Sequence, residues 1–285
     1  ADIGPKPSVR ITFAHLGDEL CYGTLLSDVP SNGPSSVWDG EEDHARHNEN
    51  PNGEYEWQEF GYDIWKAFVD YGEQDDYFFL QEAWKINETK ELAWTYFPPS
   101  KFKILLYFPE TGEYAVSGVY ESYAFDSYFT VNMDGAKRFT DKNKKLGPED
   151  YLVAEKSYNY SSEIGSLVAR ILITIVLEMA IALLFGYREK KELLFLAGVN
   201  SGTQILLNVV LNLITYHDGK MFFMRNYLLL ELAVFAIEAV LFYYFLNKLS
   251  IRQKPKWLAV VYALVANAVS FGAGLLLANY LPDLF

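Results

Sequence analysis

The sequence predicts a multidomain membrane protein: an extracytoplasmic antiparallel β-sandwich followed by an α-helical bundle of four transmembrane helices. The charges are unevenly distributed, because 29 of the 37 acidic side chains and 14 of the 24 basic ones lie before residue 163. Long apolar runs concentrate after that residue, whereas short aromatic and β-branched runs precede it. This division excludes a soluble single domain and a disordered chain. An acidic soluble part would also repel phosphate, so nucleic acid is not expected as a partner.

The first part of the chain predicts the β domain, which we assign to residues 1–155. Seven short runs rich in aromatic and β-branched residues are separated by turn signals such as Pro98-Pro99-Ser100, a pattern typical of a sandwich of immunoglobulin-like or carboxypeptidase-regulatory-like shape. The predicted strands cover residues 8–13, 20–26, 77–84, 93–97, 102–108, 114–119 and 123–131.

One segment of this domain has helical rather than strand periodicity. Apolar residues recur three and four apart over residues 56–71, which predicts an amphipathic helix. The preceding residues 28–53 are rich in Ser, Pro, Gly, Asn and acid, and we expect a long exposed loop there.

The second domain, residues 156–285, holds four apolar runs that are each about as long as the ~20 residues needed to cross a bilayer. They cover residues 163–187, 192–215, 227–246 and 257–280. Seven basic residues follow the first and third runs, against two after the second, so the first and third connections are expected in the cytoplasm and both termini outside.

An exported first domain requires a targeting signal, and the sequence starts at Ala1-Asp2 without an apolar leader. We therefore expect that a signal peptide was cleaved before Ala1. Cys21 is the one cysteine in the sequence, so the domain is expected to fold without an intrachain disulfide.

The segments Gly4-Pro5-Lys6-Pro7-Ser8 and Cys21-Tyr22-Gly23-Thr24 carry a resemblance. They resemble the mature start of uncharacterised membrane proteins from Gram-positive anaerobes, which have an outer β domain ahead of four transmembrane helices. The resemblance covers about the first 30 residues and the general plan of the chain. It implies the fold and the location, but no activity and no functional residue.

Polar residues recur in all four apolar runs. From the helical rise of ~1.5 Å per residue, five of them are expected within roughly 5 Å of the bilayer centre. They form a predicted intramembrane polar cluster of Glu178, Asn200, Gln204, Glu238 and Asn267. Nearer the outer surface, Arg170 and Glu231 lie at similar depth with opposite charge, and we expect an ion pair between them.

Three roles for the midplane cluster stay open. Two carboxylates in hydrocarbon cannot both stay ionised without a counter-charge, so a proton, cation or small polar ligand could use them. The same residues could equally hold the helices together by hydrogen bonds. Intramembrane catalysis is the third role, but the runs hold no His, Cys or Lys at midplane depth, and no catalytic residue is assigned.

The first domain offers one candidate metal site. His44 and His47 are three residues apart among four acidic residues, a combination that could hold Zn²⁺ or another divalent ion, or that could equally be a solvated polar loop. No cofactor is expected.

The functional expectation is a cell-envelope protein. Its β domain would bind a protein or glycan partner and its helices would anchor it in the lipid bilayer. A small transporter or a proton- or cation-coupled sensor is the alternative, and an intramembrane enzyme is the second alternative.

Overall fold

The computed structural model of the chain describes residues 6–41, 47–49, 55–57, 60–71, 76–219 and 223–280. Contacts divide the chain into two compact units, Ala1–Tyr158 and Asn159–Phe285. We call them the β unit and the helix unit.

The β unit contains one α-helix, α1 (Gly61–Val69), and fourteen strands within the described residues. The strands are β1 (Ser8–Ala14), β2 (Tyr22–Ser27), β3 (Ser31–Asn32), β4 (Ser35–Ser36), β5 (His47–Glu49), β6 (Tyr55–Trp57), β7 (Phe78–Phe79), β8 (Trp84–Lys85), β9 (Glu91–Trp94), β10 (Lys101–Phe108), β11 (Glu113–Val116), β12 (Tyr120–Glu121), β13 (Asp126–Asn132) and β14 (Ala154–Lys156).

Ten of these strands form two main sheets. The first sheet has the order β14-β13-β1-β9, and the second has the order β11-β10-β2-β7, with β12 paired to β10 and β8 paired to β2. The remaining strands form two small hairpins, β3 with β4 and β5 with β6.

The first sheet is mixed, which corrects the prediction of an antiparallel sandwich. Strand β1 pairs with β13 in parallel over its whole length, from Ser8 opposite Asp126 to Ala14 opposite Asn132, and with β9 in antiparallel orientation. The chain leaves β1 for the second sheet and returns through β13 in the same direction. Such a long connection is what a parallel pair requires. Turn signals in the sequence mark where the chain reverses, but not to which sheet the next strand belongs.

Strand β10 is buried on both of its faces and organises the unit into three layers. Alternate residues of a strand point to opposite faces. Phe102, Ile104, Leu106 and Phe108 therefore enter the core shared with the first sheet, while Leu105 enters a second core beneath α1. The two sheets and the helix are consequently stacked in the order first sheet, second sheet, α1.

Helix α1 confirms the predicted amphipathic helix but is shorter than residues 56–71. It buries Ile64, Trp65 and Phe68, which recur at helical spacing. Residues 55–57 pair with β5 instead of joining the helix. The helix begins at Gly61, whose φ of +76° is one that residues with a side chain rarely adopt, so the backbone turns sharply at this point.

The helix unit consists of α2 (Tyr160–Leu184), α3 (Lys190–Asp218), α4 (Phe223–Leu241), a π-helical turn (Phe242–Leu246) that continues into α5 (Asn247–Leu249), and α6 (Lys256–Tyr280). Helix α2 packs against α3 and α6, and α4 packs against the same two helices. The four long helices therefore surround a common interior, with α2 and α4 on one diagonal.

The prediction of four long apolar helices is confirmed. The stretches that are long and apolar enough to cross a membrane are Glu163–Leu184, Lys190–Asp218, Arg225–Leu249 and Lys256–Gly274. The third stretch continues through the π-helical turn, so α4 and α5 act as one apolar segment of 25 residues.

Cys21 provides a test of the β-unit core. Its side chain is fully buried between the two sheets, and burial raises the pKa of its thiol to about 12. At pH 8, about one such thiol in ten thousand is ionised, and the thiolate is the reactive form. We expect a maleimide to leave the folded chain unlabelled and to modify Cys21 after unfolding in guanidinium chloride, as measured by mass spectrometry. Rapid labelling of the folded chain would contradict the buried position.

Candidate functional site

The polar residues of the four long helices face the interior of the helix unit. None of the five predicted cluster residues is more than 6% exposed. They come from all four long helices: Glu178 from α2, Asn200 and Gln204 from α3, Glu238 from α4, and Asn267 from α6. The structure therefore gathers the predicted set into one buried region.

The outer surfaces of the same helices have the opposite character. Val176 lies two residues before the fully buried Glu178 but is itself 67% exposed. Leu184 and Leu194 are 84% and 73% exposed. Large apolar side chains thus face outward while carboxylates and amides face inward. This is the reverse of the arrangement in a water-soluble helix bundle.

Glu238 has hydrogen-bond donors on both carboxylate oxygens. Thr203 Oγ1 donates to Oε1 at 2.5 Å, and Asn267 Nδ2 donates to Oε2 at 2.6 Å. Both distances are short for hydrogen bonds of their kind. Because Thr203 belongs to α3 and Asn267 to α6, the Glu238 carboxylate connects three of the four long helices.

The Glu178 carboxylate accepts fewer hydrogen bonds than the Glu238 carboxylate does. Its Oε1 accepts a hydrogen bond from Ser270 Oγ at 3.3 Å, which is long for an O–H···O contact. Its Oε2 is buried and has no hydrogen-bond partner among the described residues. Tyr262 also approaches Glu178, but its hydroxyl donates to the backbone carbonyl, at 3.3 Å. The two buried glutamates therefore differ in how far their charge is compensated.

Asn200 is the second incompletely bonded group. Its amide lies beside the Glu178 side chain and the Tyr262 hydroxyl, but neither Nδ2 nor Oδ1 makes a hydrogen bond of normal geometry. The Oδ1 of Asn267 is buried without a partner as well. Of the five such side-chain atoms in the described part of the chain, four belong to Glu178, Asn200 and Asn267. Buried polar atoms are normally paired, so this concentration marks the region as the candidate site.

Gln204 lies one turn beyond Asn200, and in the described contacts it takes part through its backbone carbonyl. Its carbonyl accepts a hydrogen bond from Asn208 Nδ2 at 2.9 Å, within α3. We therefore place Gln204 at the edge of the candidate site.

The predicted ion pair between Arg170 and Glu231 does not occur among the described contacts. Arg170 Nε donates to the Ser166 carbonyl one turn earlier, at 3.4 Å. Glu231 is hydrogen-bonded to the Tyr227 side chain instead. Tyr227 lies four residues before Glu231 on the same helix face, so it reaches the carboxylate without any movement between helices. Arg170 also interacts electrostatically with Tyr227.

The predicted metal site falls outside what the structure describes. His44 lies outside the described residues, and His47 is described by its backbone alone, as part of β5. The metal site at His44 and His47 therefore stays a prediction. Within the described residues, no three His, Cys, Asp or Glu side chains form a group that could hold a metal ion.

A separate polar network joins the connection between α2 and α3 to the connection between α5 and α6. Glu192 Oε2 accepts the backbone N–H groups of Arg188 and Glu189 at 3.0 and 3.1 Å, and its Oε1 accepts the Ser250 hydroxyl at 2.5 Å. Lys254 Nζ lies 3.9 Å from Glu192 Oε1 and donates to the Gly186 carbonyl at 2.7 Å. We call these contacts the loop network; they fix the two basic connections to each other.

Four contact residues are absent from the predicted set: Thr203, Ser270, Tyr227 and Tyr262. Thr203 lies three residues after Asn200, hence on the same face of α3, and this spacing is a signal that the sequence contains. The tyrosines give no such signal, because tyrosine in an apolar run is equally expected at a membrane interface.

The β unit contains a cavity of about 230 Å³ between α1 and the second sheet, which we call the aromatic cavity. It is lined by Leu26, Val37, Trp38, Phe68, Val69, Tyr71, Tyr77, Phe78 and Phe79. Gln81 fixes the helix beside it, because Gln81 accepts from the Trp65 indole at 3.0 Å and donates to the Ser36 carbonyl at 3.1 Å. The cavity therefore has a largely aromatic wall with a defined geometry.

Comparisons of this chain with protein-family models, with curated proteins and with solved structures found no match. The geometry of each unit is therefore the basis for assigning a function.

The loop network generates a stability prediction. Glu192 is buried, and Glu192→Ala would leave two backbone N–H groups without their acceptor and the Ser250 hydroxyl with the Leu246 carbonyl alone. We expect the free energy of unfolding of the helix unit to fall by about 3 kcal/mol, since hydrogen bonds to charged groups contribute about 1.5–3 kcal/mol each. Denaturant unfolding of the purified protein, followed by circular dichroism, measures this loss.

Lys190→Ala, at an exposed position of the same turn, is the control and should change the free energy of unfolding by less than about 0.5 kcal/mol. Equal effects of the two substitutions would contradict the network.

Proposed function

We propose that this chain is an integral protein of the cell membrane whose four long helices anchor the β unit outside the cytoplasm, where the β unit binds a cell-envelope partner. One observation carries the proposal: the helix unit exposes large apolar side chains and buries its carboxylates and amides. In water this arrangement would expose several leucine and valine side chains to solvent, whereas in a bilayer the same side chains would contact lipid.

The proposed orientation follows from the positive-inside rule. The connections that carry Arg188, Lys190, Lys191, Lys248, Arg252, Lys254 and Lys256 would face the cytoplasm. The loop network supports a common side for these residues, because it bonds the two basic connections directly to each other. Four crossings then put both termini, and with them the β unit, on the outer side.

The aromatic cavity is the proposed binding site of the β unit. Trp38, Phe68, Tyr71 and Tyr77 supply flat apolar surfaces with polar edges, which suit the ring of a sugar or an aromatic or proline side chain of a peptide. The expected partner is therefore an envelope glycan or an envelope protein.

Membrane insertion and orientation can be tested with engineered cysteines, since the native Cys21 is buried and unreactive. We expect an impermeant maleimide added to intact cells to label Cys introduced at Glu110, an exposed position in the turn after β10. It should spare Cys introduced at Lys190 or Arg252 until the membrane is permeabilised. Labelling of Lys190→Cys in intact cells would reverse the orientation, and release of the protein from membranes by alkaline carbonate would contradict insertion.

The binding role can be tested with the full chain in lipid nanodiscs. We expect the wild type to co-sediment with purified cell-wall glycan, and Trp38→Ala to reduce the bound fraction at least about tenfold, as expected for loss of a central aromatic contact worth about 1.4 kcal/mol or more. Tyr96→Ala removes an exposed aromatic residue outside the cavity and serves as the matched control. Equal retention by both variants, or no sedimentation of the wild type, would contradict glycan binding at the cavity.

A further inference from the structure

The incompletely bonded atoms around Glu178 have a chemical bias. Three of the four are oxygen acceptors, namely Glu178 Oε2, Asn200 Oδ1 and Asn267 Oδ1, and one is a donor, Asn200 Nδ2. The orientation of the Asn267 amide is fixed, because its Nδ2 already donates to Glu238 Oε2 and to the Ala263 carbonyl at 3.0 Å. Its Oδ1 must therefore face away from those acceptors. A region with more unpaired acceptors than donors suits a guest that is positively charged.

The charges around Glu178 point the same way. The described side chains that interact with it are Asn200 from α3, Glu231 and Glu238 from α4, and Tyr262 and Ser270 from α6, and none of these carries a positive charge. Glu238 receives two short hydrogen bonds, which compensate its charge locally. Glu178 has one long hydrogen bond, so its ionised form would require a positive charge beside it.

We infer that Glu178, Asn200 and Asn267 bind a small monovalent cation through their unpaired oxygens, with Ser270 Oγ as an additional oxygen ligand. Hard cations are bound by carboxylate, amide and hydroxyl oxygens, and those are the groups present here. A monovalent cation would balance the charge of an ionised Glu178 carboxylate. Two simpler occupants account for less: a proton makes Glu178 Oε2 a donor that can serve one amide oxygen and leaves the other unpaired, and a water molecule brings no charge.

Asn200 distinguishes a ligand-binding site from a set of side chains that only pack helices together. It is 1% exposed and lies beside the Glu178 carboxyl and the Tyr262 hydroxyl, yet neither of its side-chain atoms makes a hydrogen bond of normal geometry. A side chain that served to connect helices would use at least one of them. Replacing a buried polar group that makes no hydrogen bond by an apolar group of similar size is expected to be neutral or stabilising. Asn200→Leu therefore removes a cation ligand without removing a hydrogen bond of normal geometry.

The test uses the purified full chain in detergent, transferred into choline chloride and then into NaCl, KCl or LiCl at equal ionic strength. We expect one of the alkali cations to raise the midpoint of thermal unfolding by about 3 °C or more over choline, with a saturable concentration dependence, since a ligand that binds the folded state stabilises it by mass action. Equilibrium dialysis with the radioactive form of that cation measures binding directly.

The variants separate the inference from general salt effects. Asn200→Leu and Glu178→Gln should fold in choline chloride and lose the cation-dependent increase in the midpoint. Glu231→Gln should retain a saturable increase, because the Glu231 carboxylate is hydrogen-bonded to Tyr227 and acts on Glu178 only through its charge, not as a cation ligand. If Glu178→Gln does not fold, Asn200→Leu and the dialysis measurement on the wild type still decide.

The inference is overturned if the midpoint is the same in choline and in all three alkali salts. It is overturned equally if Asn200→Leu keeps the full cation-dependent increase. Neither result bears on whether the β unit binds a glycan, so the inference and the proposed function can fail separately.

Discussion

The hydrogen bonds that Thr203 and Asn267 donate to Glu238 are the contacts on which the arrangement of the helix unit depends. Apolar side chains in a lipid environment gain little from choosing one helix neighbour over another, so packing by itself leaves rotation and sliding of a helix weakly determined. A buried carboxylate does not allow this freedom, because a displacement that breaks either bond leaves a charge without a donor. Since its two donors come from α3 and α6, this one group fixes α4 against both of its neighbours.

Three buried glutamates of the helix unit show how environment separates roles among identical side chains. Glu192 binds backbone N–H groups and a hydroxyl at the connections, and Glu238 binds two side-chain donors in the interior. In both residues, each carboxylate oxygen accepts a hydrogen bond. Glu178 lies in the same interior with one long hydrogen bond and one unpaired oxygen. Of the three glutamates, Glu178 makes the fewest described hydrogen bonds, and it is the one with a carboxylate oxygen left to bind a ligand.

The β unit depends on a different constraint, the burial of both faces of β10. A strand covered on two sides requires one layer on each side, and the first sheet and α1 supply these layers. The aromatic cavity lies where α1 meets the second sheet, so it is a consequence of packing a short helix on a broader sheet. The parallel pairing of β1 with β13 closes the first layer, because it returns the chain to the first sheet after the second has been completed.

Local patterns in the sequence determined the helices and many of the strands. Apolar length alone identified four long helices, the three-and-four spacing identified α1, and the spacing of polar residues identified the members of the buried cluster. These features depend on residues close together in the chain, which is why they can be read without a structure. Tertiary structure decided the rest. Whether Glu231 meets Arg170 or Tyr227, whether β1 has a parallel neighbour, and which oxygens of Glu178, Asn200 and Asn267 stay unpaired depend on how distant segments approach each other, to within about the length of one hydrogen bond. Sequence spacing gives the face of a helix but not the rotation of that helix against the next, and this rotation selects the partners.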